Sequence, residues 1–329
     1  MSTKLSCLVA AFTLSTPFFA PVAVQAETLT IQVGYGSGGS YDEAARLIAD
    51  HIAKHLPGTT EVVVENVPGA GSVKLAKMVM ASTVTDGSQI ATVSSALALL
   101  PIFDPESTDF DPTKVHYLVS MTNSASYCIT PKASGIDSFD AFLTQDFKVG
   151  ATGKDSTTYT YPAAIKNALG AKYEIVTGFE SAAEVDLAME RGEIGARCGI
   201  GLTTLSKGDM LERYNVVVEL SPTPKHELAD VPFLLDRAPD EATRKALELV
   251  VSSSVVHLPF IAPPATSDDA LAKLRAAFDG LAADPDFAAA AKAQGFELIM
   301  TSGPKVEELI QGFLAADPAV KEAARALVQ

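Results

Sequence analysis

Residues 33–52 read VGYGSGGSYDEAARLIADHI. Just before them, the β-branched run 29–33 alternates as a strand does. Behind the glycines, Ala44, Ala45, Leu47, Ile48, Ile52 and Leu56 recur at helical spacing, and Pro57-Gly58 ends the pattern. Ser40 and Glu43 have the spacing of a capping box, and Asp42 adds negative charge to the first turn. A strand, a bare loop and a helix in that order leave first-turn N–H groups without carbonyl partners. With the helix dipole behind them, such groups form an anion site.

The plan repeats along the chain. Residues 62–64 read as a strand, NVPGAGS (66–72) as a loop and 73–80 as a helix capped by Ser72. Asp86-Gly87 turns into a strand at 90–93, closed by Ser94-Ser95. This alternation predicts a parallel sheet with helices on its faces. A polar connector, FDPESTDFDPTK (103–114), precedes a second set. Its strands are expected at 127–130, 147–151, 173–176 and 194–200, and its helices at 137–143, 161–169 and 185–190. After a strand at 216–220 the chain reads mostly helical: 240–250, 267–283 with Ser267 as cap, a helix from Asp284-Pro285 to Gly295, then 304–315 and 318–328. The expectation is an α/β protein of two Rossmann-like lobes, 124–216 being inserted between 27–123 and 217–329. With no flexible linker, the lobes should enclose a cleft and be joined by crossover hinge strands near 121–127 and 200–218.

The chain has 329 residues, 47% hydrophobic and 20% charged, enough for two lobes with buried cores. Its start reads as an export signal: Lys4, an apolar stretch over 8–20, and Val24-Gln25-Ala26 before a cut after Ala26, which predicts a periplasmic protein. Cys7 lies ahead of the apolar stretch, which argues against a lipid anchor there. Removing the leader removes Lys4 and no acid, leaving 24 Lys and Arg against 40 Asp and Glu, a balance of −16. That disfavours nucleic acid and anionic lipid as partners, and means a bound anion must be held by local dipoles or one placed cation. Cys128 and Cys198 both fall in strand-like runs, where either a disulfide or two buried thiols is ordinary.

What needs the bare loops? No stretch fits the phosphate loop G-x-x-x-x-G-K-[ST], and Gly34, Gly36 and Gly38 are misspaced for a dinucleotide fingerprint, so no cofactor is expected. Neither Ser37 nor Ser40 sits in a G-x-S-x-G elbow. His51 and His55 lie one helical turn apart but lack the H-E-x-x-H pattern, and the acidic run Asp104, Glu106, Asp109, Asp111 lacks a calcium loop's glycine, so no metal is expected. What remains is non-covalent capture of a small anion. A charge-assisted hydrogen bond contributes about 1.5–3 kcal/mol. Three or four of them supply the ~8 kcal/mol of micromolar affinity after the losses of association.

The ordered set VGYGSGGSYDEAARLIADHI, VVVENVPGAGSVKLAKMV, DGSQIATVSSALAL, ATGKDSTTYTYPA, GFESAAEVDLAMERGEIGAR, LADVPFLLDRAP and PFIAPPATSDDALAKLRAAFDGLAADPDFAAAAKAQG resembles the solute receptors of tripartite tricarboxylate transporters, the Bug-type proteins. The resemblance runs through essentially the whole chain after the leader. It implies a type II periplasmic-binding-protein fold acting without chemistry of its own. The ligand would be a small carboxylate (a di- or tricarboxylate or an aromatic acid), delivered by a monomeric receptor to a membrane permease of one large and one small subunit.

Carried onto this chain, the first lobe's contacts are Tyr35, Gly36, Ser37, Gly38, Gly39 and Ser40, then Gly69, Ala70 and Gly71, then Ser94, Ser95 and Ala96. The second lobe supplies Thr152, Ser156, Thr157, Thr158 and Tyr159, then Phe179, Glu180, Ser181 and Ala182. Many members carry Pro-Pro-Gly-Gly where this chain has Gly36-Ser37-Gly38-Gly39, and Thr-Ser-Gly where it has Val93-Ser94-Ser95. The first departure adds the Ser37 hydroxyl and the second places one at Ser95 while losing one at Val93, and a more polar pocket favours a hydrophilic acid. Arg197, between Ala196 and Cys198 in a strand, needs an anionic partner, either the ligand or an acid such as Glu180 or Glu193. Tyr35, Tyr41 and Tyr159 either stack on a ligand or pack beside the cleft. The competing readings are a secreted hydrolase using Ser37 or Ser40, and a ligand sensor for a membrane kinase.

Overall fold

The computed structural model describes residues 27–107, 110–123 and 125–329. The expected leader with its Cys7, and Asp109 of the acidic connector, lie outside the described residues. The chain opens with β1 (Glu27–Val33), α1 (Ser40–Ile52), β2 (Thr59–Asn66), α2 (Val73–Ala81), β3 (Gln89–Thr92), α3 (Leu100–Phe103) and β4 (His116–Thr122). The middle holds β5 (Ser126–Pro131), α4 (Phe139–Thr144), β6 (Lys148–Ala151), α5 (Thr157–Leu169), β7 (Glu174–Thr177), α6 (Ala182–Glu190), β8 (Arg197–Gly201), α7 (Leu202–Leu205), α8 (Met210–Arg213) and β9 (Tyr214–Leu220). The end is α9 (Glu241–Val251), β10 (His257–Ala262), α10 (Asp268–Ala283), α11 (Pro285–Ala293), β11 (Thr301–Ser302), α12 (Gly303–Leu314) and α13 (Pro318–Val328).

A six-stranded sheet runs β11-β4-β10-β3-β1-β2. Its β2-β1-β3 part is parallel, as the alternation predicts, and α1 covers it by burying Ala44, Ala45, Leu47, Ile48 and Ile52. Each of the larger side chains contributes about 1.5–3 kcal/mol when fully buried. The rest of the sheet departs from expectation. Strands β4 and β10, unmarked in the helical and polar readings of their neighbourhoods, complete it, and β10 runs antiparallel to both β3 and β4. All six residues of β10 are buried. The second sheet is mixed. Strand β5 pairs antiparallel with β8 and β9, β6 pairs parallel with β7, and a bridge from Val149 to Ala196 joins the two groups.

Helix boundaries moved where hydroxyl residues govern the turn. Helix α5 begins at Thr157, four residues ahead of the expected 161, and α6 at Ala182 instead of 185. Strand β8 begins at Arg197, later than the expected 194. The tail is not confined to the large sheet: α13 packs on α5 and α9, and one core contains Phe142, Tyr161, Val218, Leu247 and Ala324 together.

Cys128 and Cys198 face one another across β5 and β8 and form a disulfide that spans 70 residues of sequence. Reduction should cost about 2–5 kcal/mol, since a loop of this length constrains the unfolded chain strongly. Urea unfolding with and without dithiothreitol reads this directly, and unchanged midpoints would contradict it. His257, at the start of β10, is buried, and burial lowers its imidazole pKa to about 4. Between pH 6.5 and 4 the unfolded chain therefore takes up a proton that the folded chain refuses. Stability should fall as pH drops through that window, by about 3 kcal/mol in full. The His257→Gln variant should show a correspondingly flatter acid limb in unfolding experiments.

Candidate functional site

Strand β1 ends at the quoted loop. Gly34 lies so close to the neighbouring loop that a Cβ there would sit 2.2 Å from Ser72 Cβ. Gly38 takes φ +89°, a conformation open to glycine, and Gly39 is the N-cap of α1. The expected capping box does not form, because Ser40 is already the first helical residue. Asp42 replaces it by accepting the Gly38 N–H at 3.0 Å, and also bonds Arg46 and Asn66. Burial raises the Asp42 pKa, but these donors outweigh it and hold the carboxyl below its ordinary value. Ser72 does not cap α2 either. Its φ is +77° and its Oγ accepts the Ser94 N–H at 2.7 Å, which ties two predicted loops together.

On the opposite wall, three hydroxyls organise the turn before α5. Thr152 Oγ1 lies 2.9 Å from Ser156 Oγ and 3.1 Å from Thr158 Oγ1, while the Thr152 N–H donates to Thr158 Oγ1 at 3.0 Å. Ser156 Oγ donates to the Gly153 carbonyl at 2.7 Å. Helix α6 is capped by Ser181, whose Oγ accepts the Glu184 N–H at 3.3 Å. The first turns of α1, α5 and α6 then meet at one cleft of about 660 Å³, counting the solvent in its mouth.

Ten of the residues expected at the site line this cleft: Tyr35, Gly38, Gly39, Ser40, Thr152, Thr157, Thr158, Ser181, Ala182 and Arg197. The others lie around it. Gly69, Ala70, Phe179 and Glu180 line a neighbouring hollow that shares Thr152. Gly36 is at the rim, where its N–H donates to the Glu180 carbonyl at 2.9 Å, and Ser37 is exposed beside it. Ser94, Ser95 and Ala96 are buried, the Ser95 N–H donating to Tyr41 Oη at 3.1 Å. The hydroxyl of Ser156 turns away to Gly153, Gly71 abuts Ser156, and Tyr159 is half-buried off the cleft wall. Tyr35 and Tyr41 pack with ring centroids 4.7 Å apart, and burial raises both phenol pKa values above the ordinary 10, so they stay protonated donors.

Sequence reasoning missed Glu43, Asp186 and the wall formed by Gly199, Ile200, Gly201 and Thr204. A signal for the first two existed: Glu43 follows Ser40 by three residues and Asp186 follows Ala182 by four, each one turn into its helix on the face of the first residue. Asp186 also corrects the reading of Arg197. The guanidinium is 2% exposed and bonds Asp186 through Nε at 2.6 Å and Nη2 at 2.9 Å, whereas neither Glu180 nor Glu193 is its partner. Of the histidine pair, His55 places Nε2 2.9 Å from Asp284 Oδ2.

The two walls also touch outside the cleft. Lys207 Nζ lies 2.7 Å from Glu43 Oε2 and over the Phe296 ring, and Gly153 lies flat against the backbone of Ala70 and Gly71.

Residues 44–172 match the family described as the tripartite tricarboxylate transporter family receptor. A Cupriavidus necator protein named "UPF0065 protein in gbd 5'region" is 33% identical over 116 residues, which are 35% of this chain and 34% of that protein. The match thus spans about a third of that relative's length. Among solved structures, an R. palustris protein with adipate superposes with a TM-score of 0.71 at 15% identity, over 90% of this chain and 97% of the other. MatC from Rhodopseudomonas palustris with bound malate gives 0.68 at 18% identity, over 91% and 98%, and the periplasmic binding protein BugD gives 0.67 at 16%, over 90% and 95%. At such identities the likeness establishes the fold: a mixed α/β periplasmic-binding-protein architecture.

The contact at Gly153 has a direct consequence. A Cβ there would lie 2.4 Å from Gly71 N and 2.5 Å from Ala70 C, both backbone atoms that cannot turn aside. Gly153→Ala should therefore keep the walls apart, enlarging the radius of gyration in small-angle scattering while moving the melting temperature little. A scattering curve identical to that of the unaltered protein would refute the contact's role.

Proposed function

For a chain that matches the tripartite tricarboxylate transporter receptors, we propose a periplasmic receptor that captures a small carboxylate between two lobes. One observation carries the reading: the N-termini of α1, α5 and α6, from both sides of the cleft, face one space. First-turn N–H groups of three helices and their dipoles form a site for an anion with no global positive charge required. The adipate and malate in the structural neighbours are acids of the same class.

The lobes are those expected, 27–123 with 217–329 and 124–216, with two corrections: β9 stays whole in the second lobe, and the chain, after crossing near 121–127, regains the large sheet between β9 and β10 and not near 200–218. A ligand that touches α1 on one side and α5 and α6 on the other binds the closed form better, and so populates it. The ligand contacts are the cleft-lining residues, with Gly36, Ser37, Gly69–Gly71, Ser94–Ala96, Ser156, Tyr159, Phe179 and Glu180 shaping and closing the loops around them. The closed monomer delivers its cargo to a permease of one large and one small membrane subunit, and the leader through Ala26 directs export. The neighbours' fold is one of receptors, and no histidine lines the cleft among the described residues to activate Ser40.

Thermal unfolding with a panel of C3 to C7 mono-, di- and tricarboxylates tests the reading. A true ligand should stabilise the protein saturably, by RT ln(1 + [L]/Kd), about 2.7 kcal/mol at a hundredfold excess over Kd, and be recovered unchanged. Failure of every acid to stabilise, or consumption of one that ceases in Ser40→Ala, would overturn it.

A further inference from the structure

Resting on the two-lobe receptor reading, we propose that Lys207 is a latch: its ion pair with Glu43 spans the mouth of the cleft and biases the lobes toward closure before any cargo is held. Lys207 follows α7 in the second lobe, and Glu43 stands in the first turn of α1 in the first. Their side chains meet at 2.7 Å, Nζ to Oε2. Glu43 and Thr204 both line the cleft, so the pair stands at its edge. Lys207 is 29% and Glu43 35% exposed, which leaves the pair within reach of bulk ions. The same Nζ lies 5.1 Å from the centroid of the Phe296 ring, in the turn after α11. One ammonium group of the second lobe therefore holds two parts of the first, a carboxylate on α1 and an aromatic face beyond α11.

The backbone prepares this seat. Gly295 has φ +81°, a conformation suited to glycine, and a Cβ there would lie 3.4 Å from Lys207 Cγ and 3.4 Å from the Thr203 carbonyl oxygen. The Lys207 N–H donates to the Thr204 carbonyl at 3.2 Å, which fixes the lysine just behind the cleft wall. Elsewhere the lobes meet through main chain: the Gly36 N–H donates to the Glu180 carbonyl at 2.9 Å, and Gly153 lies against Ala70 and Gly71. Contacts of that kind respond little to salt, whereas a partly exposed ion pair is screened by it. Both lobes carry more Asp and Glu than Lys and Arg, so their general repulsion opposes closure, and salt relieves it. The latch and the general field thus answer salt with opposite signs, and that difference separates them. An exposed ion pair and a cation–π contact together shift the ratio of closed to open molecules about three- to tenfold.

Single-molecule fluorescence energy transfer on the exported protein, with no acid added, tests the latch. Dyes on Lys172→Cys in the second lobe and Lys273→Cys in the first, both at exposed positions, read the closed fraction. At about 0.01 M salt, Lys207→Gln should lower the closed-to-open ratio about threefold or more, and Lys207→Arg should keep it. The double variant Glu43→Gln with Lys207→Gln should open no further than Lys207→Gln alone. Raising the salt to about 1 M should close the gap between the unaltered protein and Lys207→Gln. An equal closed fraction in these two proteins at low salt overturns the latch while lobe closure stands. A gap that survives about 1 M salt also overturns it, since Lys207 would then act through packing on Gly295. One unchanging transfer efficiency in every variant and at every salt concentration overturns the latch and lobe closure together. A closed fraction that follows the latch, in a protein that no acid of the thermal panel stabilises, supports the latch and overturns the carboxylate reading alone. If Lys207→Gln does not fold, Glu43→Gln carries the same comparison.

Discussion

Helices α1, α5 and α6 each begin with N–H groups that no helical carbonyl can reach, and the molecule is built around holding those beginnings at one place. The constraint explains the density of small residues. Gly34 admits the Ser72 loop, Gly199 admits Thr157, and Gly153 admits the backbone of Ala70 and Gly71, each at a distance where a side chain would collide. It also explains why hydroxyls outnumber charges near the cleft. Thr152, Ser156 and Thr158 satisfy one another in a buried triangle and so shape the turn before α5.

The parallel half of the large sheet was legible because each strand there is followed by a glycine-rich turn and a helix with clean periodicity. The antiparallel half was not. Strand β10 reads HLPFIA, six residues containing a proline and a leucine at φ +54°, wedged between helical stretches. Proline argues against a central strand. Here β10 is central all the same, because its neighbours β3 and β4 come from distant sequence and supply a buried slot that only tertiary structure creates. Ser120 Oγ, which donates to the His257 carbonyl at 2.9 Å, illustrates this: the residues are 137 apart in sequence.

The cleft was legible to the depth of its main-chain donors and no further. Loops announce themselves through glycine and serine, so ten expected residues are found on the wall. The acids behind them were hidden by their helical surroundings, where Glu43 and Asp186 look like ordinary solvated positions. The capping expectations failed in an instructive way. Ser40 and Ser72 have the right type and spacing, yet Ser40 falls inside the helix behind Gly39 as N-cap, and the Ser72 hydroxyl is taken by the Ser94 N–H. A cap is a local preference of about 1 kcal/mol, and a loop packed against two others overrides it.

The Arg197–Asp186 pair shows how a strand and a helix fix one another's chemistry. Removing two charges from water costs several kcal/mol per ion, so a structural pair alone is a poor source of stability. Strand β8 nevertheless presents Arg197 beside Cys198, whose disulfide to β5 fixes the strand's place, and α6 brings Asp186 to it from one turn inside the helix. The pair therefore stands in the wall at a defined position, with Asp186 opening onto the cleft. An ion pair held in this way is neutral as a unit, so the positive potential in the cleft comes from the three helix N-termini beside it.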